Sequence, residues 1–196
     1  ASQSVEMVLG EQIAWQAEPV EVGMKSSSGL KSFNLQVLNG PAEVVGGTSL
    51  KLTGVGVVKV ELSEPGDERY KAAQVQKEVS VSKAAQVIEF GELADVGFGV
   101  DPIELSGSAS SGLEVGYEVV AKHEFLGVLW SLGLGEVEGG QFVLPGKGLF
   151  FPLSVTVKAV QAGSELYEAA QSVEQGFKVS QGEDVLSFEP IGNRLV

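Results

Sequence analysis

The chain holds 196 residues, 43% of them hydrophobic, enough for packed cores and too many for a disordered tail. Its 26 acids against 13 bases give a formal charge of −13, which repels a phosphate backbone and disfavours nucleic acid and anionic membrane surfaces as partners. Cysteine is absent, which removes disulfides, thiolate zinc sites and thiol nucleophiles, and no apolar run approaches the roughly 20 residues that span a bilayer.

From the amino terminus, short segments of alternating polarity follow one another: VEMV (5–8), PVEVGM (19–24), FNLQVL (33–38), SLKLTG (49–54), VVKVEL (57–62) and KEVSVS (77–82). A period of two buries one face of a strand and wets the other. Clusters of Gly, Pro, Asn and Ser separate the segments, as turns require. In PVEVGM the pattern puts Val20, Val22 and Met24 on the buried face and Glu21 outward. Proline stands at the strand start, where a missing N–H is tolerated. Gly29 then supplies backbone freedom for the Ser-Ser-Gly turn, and Leu30 returns to the core. One helical turn is expected near ERYKAA (68–73) and none elsewhere.

Past residue 83 the chain begins again. A shift of 83 lays Gln3–Leu30 over Gln86–Leu113 without a gap. Gln3/Gln86, Glu6/Glu89, Pro19/Pro102, Glu21/Glu104 and the Ser-Ser-Gly-Leu runs at 27–30 and 110–113 are identical, and Trp15 meets Phe98 in kind. Residues 58–74 then match 155–171 at a shift of 97, sharing Gly66/Gly163, Tyr70/Tyr167 and the AAQ triplets. The difference, 97 − 83 = 14, is the enlargement of the second copy, most of it in AKHEFLGVLWSLGLG (121–135) with a few residues in LFFPL (149–153). DVLSFEPIGNRLV (184–196) overlays QVIEFGELADVGF (86–98) as a third start, so the parent protein is expected to continue past Val196.

These patterns predict an all-β fold of two tandem immunoglobulin-like β-sandwiches plus the first strand of a further repeat, with about seven strands in each sandwich. The expected divisions are 1–83, 84–181 and 182–196. The joint VSVSKAAQVIEF lacks a Gly/Ser linker, which predicts a semi-rigid string. Tyr70 and Tyr167, each just after a glycine turn, are expected to bury their rings and bond their hydroxyls to backbone.

QVIEFGELADVGFGVDPIELSGSASSGLEVGYEVV (86–120) and AGSELYEAAQSVEQGFKV (162–179) resemble the tandem bacterial immunoglobulin-like (Big/MBG-like) repeats of large secreted and cell-surface proteins. The resemblance covers essentially the whole chain. It implies a non-catalytic spacer, stalk or adhesion module, placed extracellularly or at the bacterial cell surface. The first copy departs from the family turn by carrying Ala17–Glu18 where Gly-Asp is usual, and the second departs through its enlargement.

Candidate chemistry is sparse. The single histidine, His123, would have to serve any Ser-His-Asp triad, yet no Gly-x-Ser-x-Gly elbow accompanies it and GSASSG (107–112) has the wrong spacing. GGQFVLPGKG (139–148) misses the phosphate-loop spacing by one residue and has Gly148 where Ser or Thr should bind magnesium, so a hairpin is expected. Glu61, Glu64, Asp67 and Glu68 gather around a Pro-Gly turn, but EF-hand spacing is absent and the second copy replaces most of the acids. Asp95 and Asp101 near the joint are a second weak calcium candidate.

No catalytic, cofactor or metal residue is assigned. Phe125 and Trp130, in the apolar insertion, are the candidate partner contacts. The bland alternative for the insertion is an added hairpin that enlarges the sandwich or covers its edge. Expected partners are neighbouring repeats of the same chain and a surface glycan or protein. A further alternative is a fibre subunit that assembles through residues 184–196.

Overall fold

A computed structural model describes residues 1–97, 99, 101–120, 124–125, 128–129, 135–144 and 153–181, with backbone alone at 124–125, 128–129 and 153. The chain divides into two contact units. The first holds Ala1–Val87 with Ala162–Ala170; the second runs from Ile88 to Gln161 and resumes at Gln171.

The first unit contains β1 (Val5–Val8), β2 (Gln12–Ala14), β3 (Val20–Glu21), β4 (Gly23–Ser26), β5 (Asn34–Asn39), β6 (Ala42–Val45), β7 (Ser49–Leu52), β8 (Gly56–Glu64) and β9 (Ala73–Ser82). One sheet has the order β2-β9-β8-β5, the other β3-β7-β6, and β1 pairs with β4. These nine segments are seven strands, two of them broken. β3 and β4 are one strand interrupted at Val22, whose N–H still donates to Thr48 O at 2.9 Å. The first strand changes layers: β1 pairs antiparallel with β4, and after Leu9–Glu11 the chain pairs parallel with β9 as β2. That exchange closes both layers over a single core, the arrangement of an immunoglobulin-like sandwich.

The core follows from alternation. Val58, Val60 and Leu62 on the inner face of β8 are at most 1% exposed, and they cluster with Leu50 and Leu52 of β7 and with Val79 and Val81 of β9. Each such side chain contributes about 1.5–3 kcal/mol of burial free energy. Val22 is buried and Val20, Met24 and Leu30 half-buried, with Glu21 outward as expected.

Among the described residues there is no helix. The expected turn at ERYKAA is instead a bend in which Asp67 Oδ1 accepts the N–H groups of Arg69 and Tyr70, both at 2.8 Å. An aspartate satisfying its own following amides competes with helix initiation.

The second unit repeats the topology with β10 (Ile88–Phe90), β11 (Val96–Gly97), β12 (Ile103–Glu104), β13 (Gly107–Ala109), β14 (Gly116–Val119), β15 (Glu124–Phe125), β16 (Val128–Leu129), β17 (Glu136–Glu138), β18 (Gln141–Val143), β19 (Leu153–Val160) and β20 (Val173–Ser180). Its sheets are β11-β20-β19-β14 and β12-β18-β17, with β10 on β13, the same order strand for strand. The addition is the antiparallel ladder β15–β16, which falls between the counterparts of β5 and β6. The chain is therefore an all-β tandem of immunoglobulin-like sandwiches.

The second core is built from larger rings. Phe142 and Phe177 stand where the first unit has Leu50 and Val79, and their centroids lie 5.5 Å apart in an edge-to-face contact. Ala159 replaces Leu62, and both are 0% exposed. Large-for-small exchange balanced by small-for-large keeps the volume of a close-packed interior.

Candidate functional site

The repeated polar residues are the natural place to look for chemistry, and in both copies they hold backbone. Gln3 Nε2 donates to Lys71 O at 2.8 Å, and Gln86 Nε2 donates to Glu168 O at 2.7 Å, the same bond at shifts of 83 and 97. Gln3 Oε1 also accepts the hydroxyls of Ser26 and Ser28, at 2.8 and 2.5 Å. In the Ser-Ser-Gly turns, Ser28 Oγ accepts Leu30 N–H and Ser111 Oγ accepts Leu113 N–H. Gly29 and Gly112 sit at φ +80° and +74°, a conformation other residues rarely adopt.

The tyrosine loops are duplicated with equal fidelity. Gly66 and Gly163 have φ of +79° and +83°, and a Cβ on either would fall within 2.6 Å of the following tyrosine's carbonyl oxygen. The N–H groups of Asp67 and Ser164 donate to the carbonyls of Tyr70 and Tyr167, each at 3.0 Å. Ser164 Oγ accepts Leu166 and Tyr167 N–H, taking the part that Asp67 plays in the first loop. Lys71 N–H donates to Ala1 O and Glu168 N–H to Ala84 O, so the opening residues of each copy lie along its tyrosine loop.

Tyr167 packs within the first unit, where Trp15 meets its ring edge-on at 5.3 Å and 74°. Lys83 Nζ donates to Ser164 O at 2.7 Å beside it. The sequence marked Trp15 only as the aromatic counterpart of Phe98 and gave it no role. Tyr70 and Tyr167 are half-buried rather than enclosed; the described contacts of Tyr70 run through its backbone, and those of Tyr167 through backbone and ring.

The acids around Pro65–Gly66 are dispersed by strand geometry. Glu61 faces outward and accepts Gln36 Nε2 at 2.6 Å and Gln76 Nε2 at 2.7 Å. Glu64 continues the inward row of β8 and is 1% exposed; its Oε1 accepts Gly66 N–H at 3.2 Å, and its Oε2 has no hydrogen-bond partner. Asp67 caps its own loop. Asp95 Oδ1 accepts Lys178 N–H at 2.7 Å, inside the second unit, and Asp101 is exposed. Among the described residues no three His, Cys, Asp or Glu converge on a possible metal position.

The glycines expected to form a hairpin do so: Glu138 pairs with Gln141 across Gly139–Gly140, whose φ values are +56° and +80°. Residues 145–148 of that motif lie outside the described residues, as do His123 and Trp130. Phe125 lies in β15, where its backbone pairs with Val128. No described helix is long and apolar enough to cross a membrane.

No family model matches the chain, and no curated relative does. Solved structures overlap it at low scores. Drosophila N-cadherin EC1-3 gives a TM-score of 0.37 and 13% identity over 93% of this chain and 68% of that one. Human protocadherin-24 EC1-2 gives 0.36 and 13% over 90% and 99%. Drosophila OTK extracellular domains 3-5 give 0.35 and 10% over 91% and 62%, so this chain spans less than two thirds of that one. At scores of this size the likeness adds nothing to the strand order, which carries the architecture by itself.

Proposed function

We propose that the chain is a non-catalytic structural or adhesion module of an exported, repetitive bacterial surface protein, divided at 83/84 and again near 181/182. The carrying observation is the duplicated hydrogen bonding. Gln3 and Gln86, Ser28 and Ser111, and Asp67 and Ser164 do the same backbone work in both copies. The parallel ladders that join the first strand of each copy to its last, β2–β9 and β11–β20, lie between the points where tension enters and leaves, so their hydrogen bonds are loaded together in shear. An extracellular setting suits the acidic, cysteine-free composition. Single-molecule stretching of the chain tests the role: two discrete unfolding peaks are expected, and smooth extension without peaks would remove it.

A second reading takes the 121–135 insertion as a contact for carbohydrate or a surface receptor, with Phe125 and Trp130 as anchors. The β15–β16 ladder, which the first unit lacks, favours it. A glycan array probed with the wild type and Trp130→Ala decides: binding lost in the variant supports it, and no binding by either ends it. Assembly through residues 184–196 is tested by their deletion, an unchanged oligomeric state being the adverse result.

A further inference from the structure

Asn39–Gly40 is the one Asn-Gly pair in the sequence. It stands where the chain leaves β5 for β6, strands of different sheets, so it is not the two-residue hairpin turn that such a pair commonly marks. Glycine is required at the second position. Gly40 has φ +104°, and a Cβ there would run into the Val57 carbonyl oxygen and come within 2.7 Å of Val58 Cα. Nothing comparable holds the asparagine. Asn39 is exposed, and its side-chain amide makes no hydrogen bond to a described residue. The Gly40 N–H also has no partner among the described residues. The β5–β8 register slips between Val37 and Asn39, and a slip of this kind locally disrupts the ladder.

We propose that Asn39 is a site of spontaneous main-chain modification, with water as the co-reactant. The Gly40 nitrogen, once its proton passes to a solvent base, attacks Asn39 Cγ. An N–Cγ bond forms, the Cγ–Nδ2 bond breaks, and ammonia leaves with a proton taken from water. Water then opens the cyclic imide at one of its two carbonyls. Attack at Cγ gives aspartate. Attack at the former main-chain carbonyl breaks its bond to the Gly40 nitrogen and gives isoaspartate, joined to Gly40 through Cγ. The net change is one water consumed and one ammonia released.

Asn34 supplies the contrast within one strand. It is also exposed, but Leu35 follows it, with a buried side chain and a backbone paired with Leu62. Attack by the Leu35 nitrogen has to disturb that ladder, and the leucine side chain crowds the approach. At Gly40 no hydrogen bond is lost and no side chain stands in the way. The isoaspartate product carries an added negative charge and an extra methylene in the main chain. Both fall directly before the bonds that hold the corner between the layers, Ala42 N–H to Gly40 O at 3.0 Å and Thr53 N–H to Pro41 O at 2.9 Å. This site goes beyond the module role proposed above and does not depend on it.

The folded chain, held for weeks at body temperature in mildly alkaline buffer, should exchange the Asn39 amide for an acid several-fold faster than the Asn34 amide, read from fragment masses after digestion. A methyl label transferred by an isoaspartate-specific methyltransferase should appear at residue 39 and be absent from Asn39→Gln. Conversion should quicken as pH rises, since the Gly40 nitrogen must shed its proton. It should also stay within a few-fold of the rate in the guanidinium-unfolded chain. Asn39 converting no faster than Asn34 would overturn the proposal, as would conversion that stalls in the folded chain and resumes only on unfolding.

Discussion

The N–H of Gly107 donates to the hydroxyl of Tyr117 at 2.5 Å, and the contact exists because residue 107 has no side chain. A Cβ there would sit 2.8 Å from the hydroxyl oxygen and 3.4 Å from the ring. In the first unit the matching positions hold Met24 and Leu35, and Phe90, 5.4 Å from the Tyr117 ring, takes the place of Met7. The two cores solve one packing problem with different residues.

Gly107→Ala should therefore destabilise the second unit by about 1–3 kcal/mol, the range for overpacking a filled site. Tyr117→Phe, which removes only the hydroxyl, should cost about 1 kcal/mol. In the double variant Gly107→Ala/Tyr117→Leu the clash disappears and part of the loss should return. Urea denaturation of these variants and of Tyr117→Leu alone measures this; losses from Gly107→Ala and Tyr117→Leu that add strictly in the double variant would refute the packing account.

Glu64→Gln should stabilise the first unit by about 1 kcal/mol. The carboxylate is buried with one oxygen lacking a partner, and an uncompensated buried charge is more costly than an amide of the same shape. Oε1 can still accept Gly66 N–H, and Gln161 already occupies the corresponding position in the second copy. Thermal unfolding near neutral pH gives the answer, a lowered Tm being the contrary outcome.

Gln86→Ala removes a buried amide that donates to Glu168 O, and should cost about 1–2 kcal/mol. The effect should be local. Hydrogen exchange at the Glu168 amide, which donates to Ala84 O, should accelerate, while amides of the β19–β20 ladder keep their protection. Unchanged exchange at Glu168 would show that the opening residues hold the tyrosine loop without the glutamine.

Calcium should leave the Tm of the described fold where it is. Asp67 is engaged by two backbone N–H groups, and a neutral Ser164 performs the same task in the second copy, so the aspartate's charge is incidental to the turn. Melting in millimolar calcium and again in chelator checks this; a Tm that rises with calcium would return the loop acids to consideration.

Much of the fold was legible in the residues, because alternation and turn chemistry are local. VEMV is β1 residue for residue, and the duplicated Gln, Gly and Tyr positions marked the bonds that both copies make. β2 and β6 went unnoticed, being three and four residues long with too little alternation to stand out. Glu64 misled for a different reason. Its charge placed it with the loop acids, although its spacing from Val58, Val60 and Leu62 assigned it to the inner face.

By itself the sequence determined the repeat, the strand faces and the turns, since each depends on neighbours a few residues apart or on letters written twice. Only the tertiary structure decided that the first strand changes layers between Val8 and Gln12, since the choice of partner strand is made by residues some seventy positions away. It alone paired Trp15 with Tyr167. Corresponding loops make corresponding backbone bonds, but what covers a loop is decided by which surfaces the folded chain brings together.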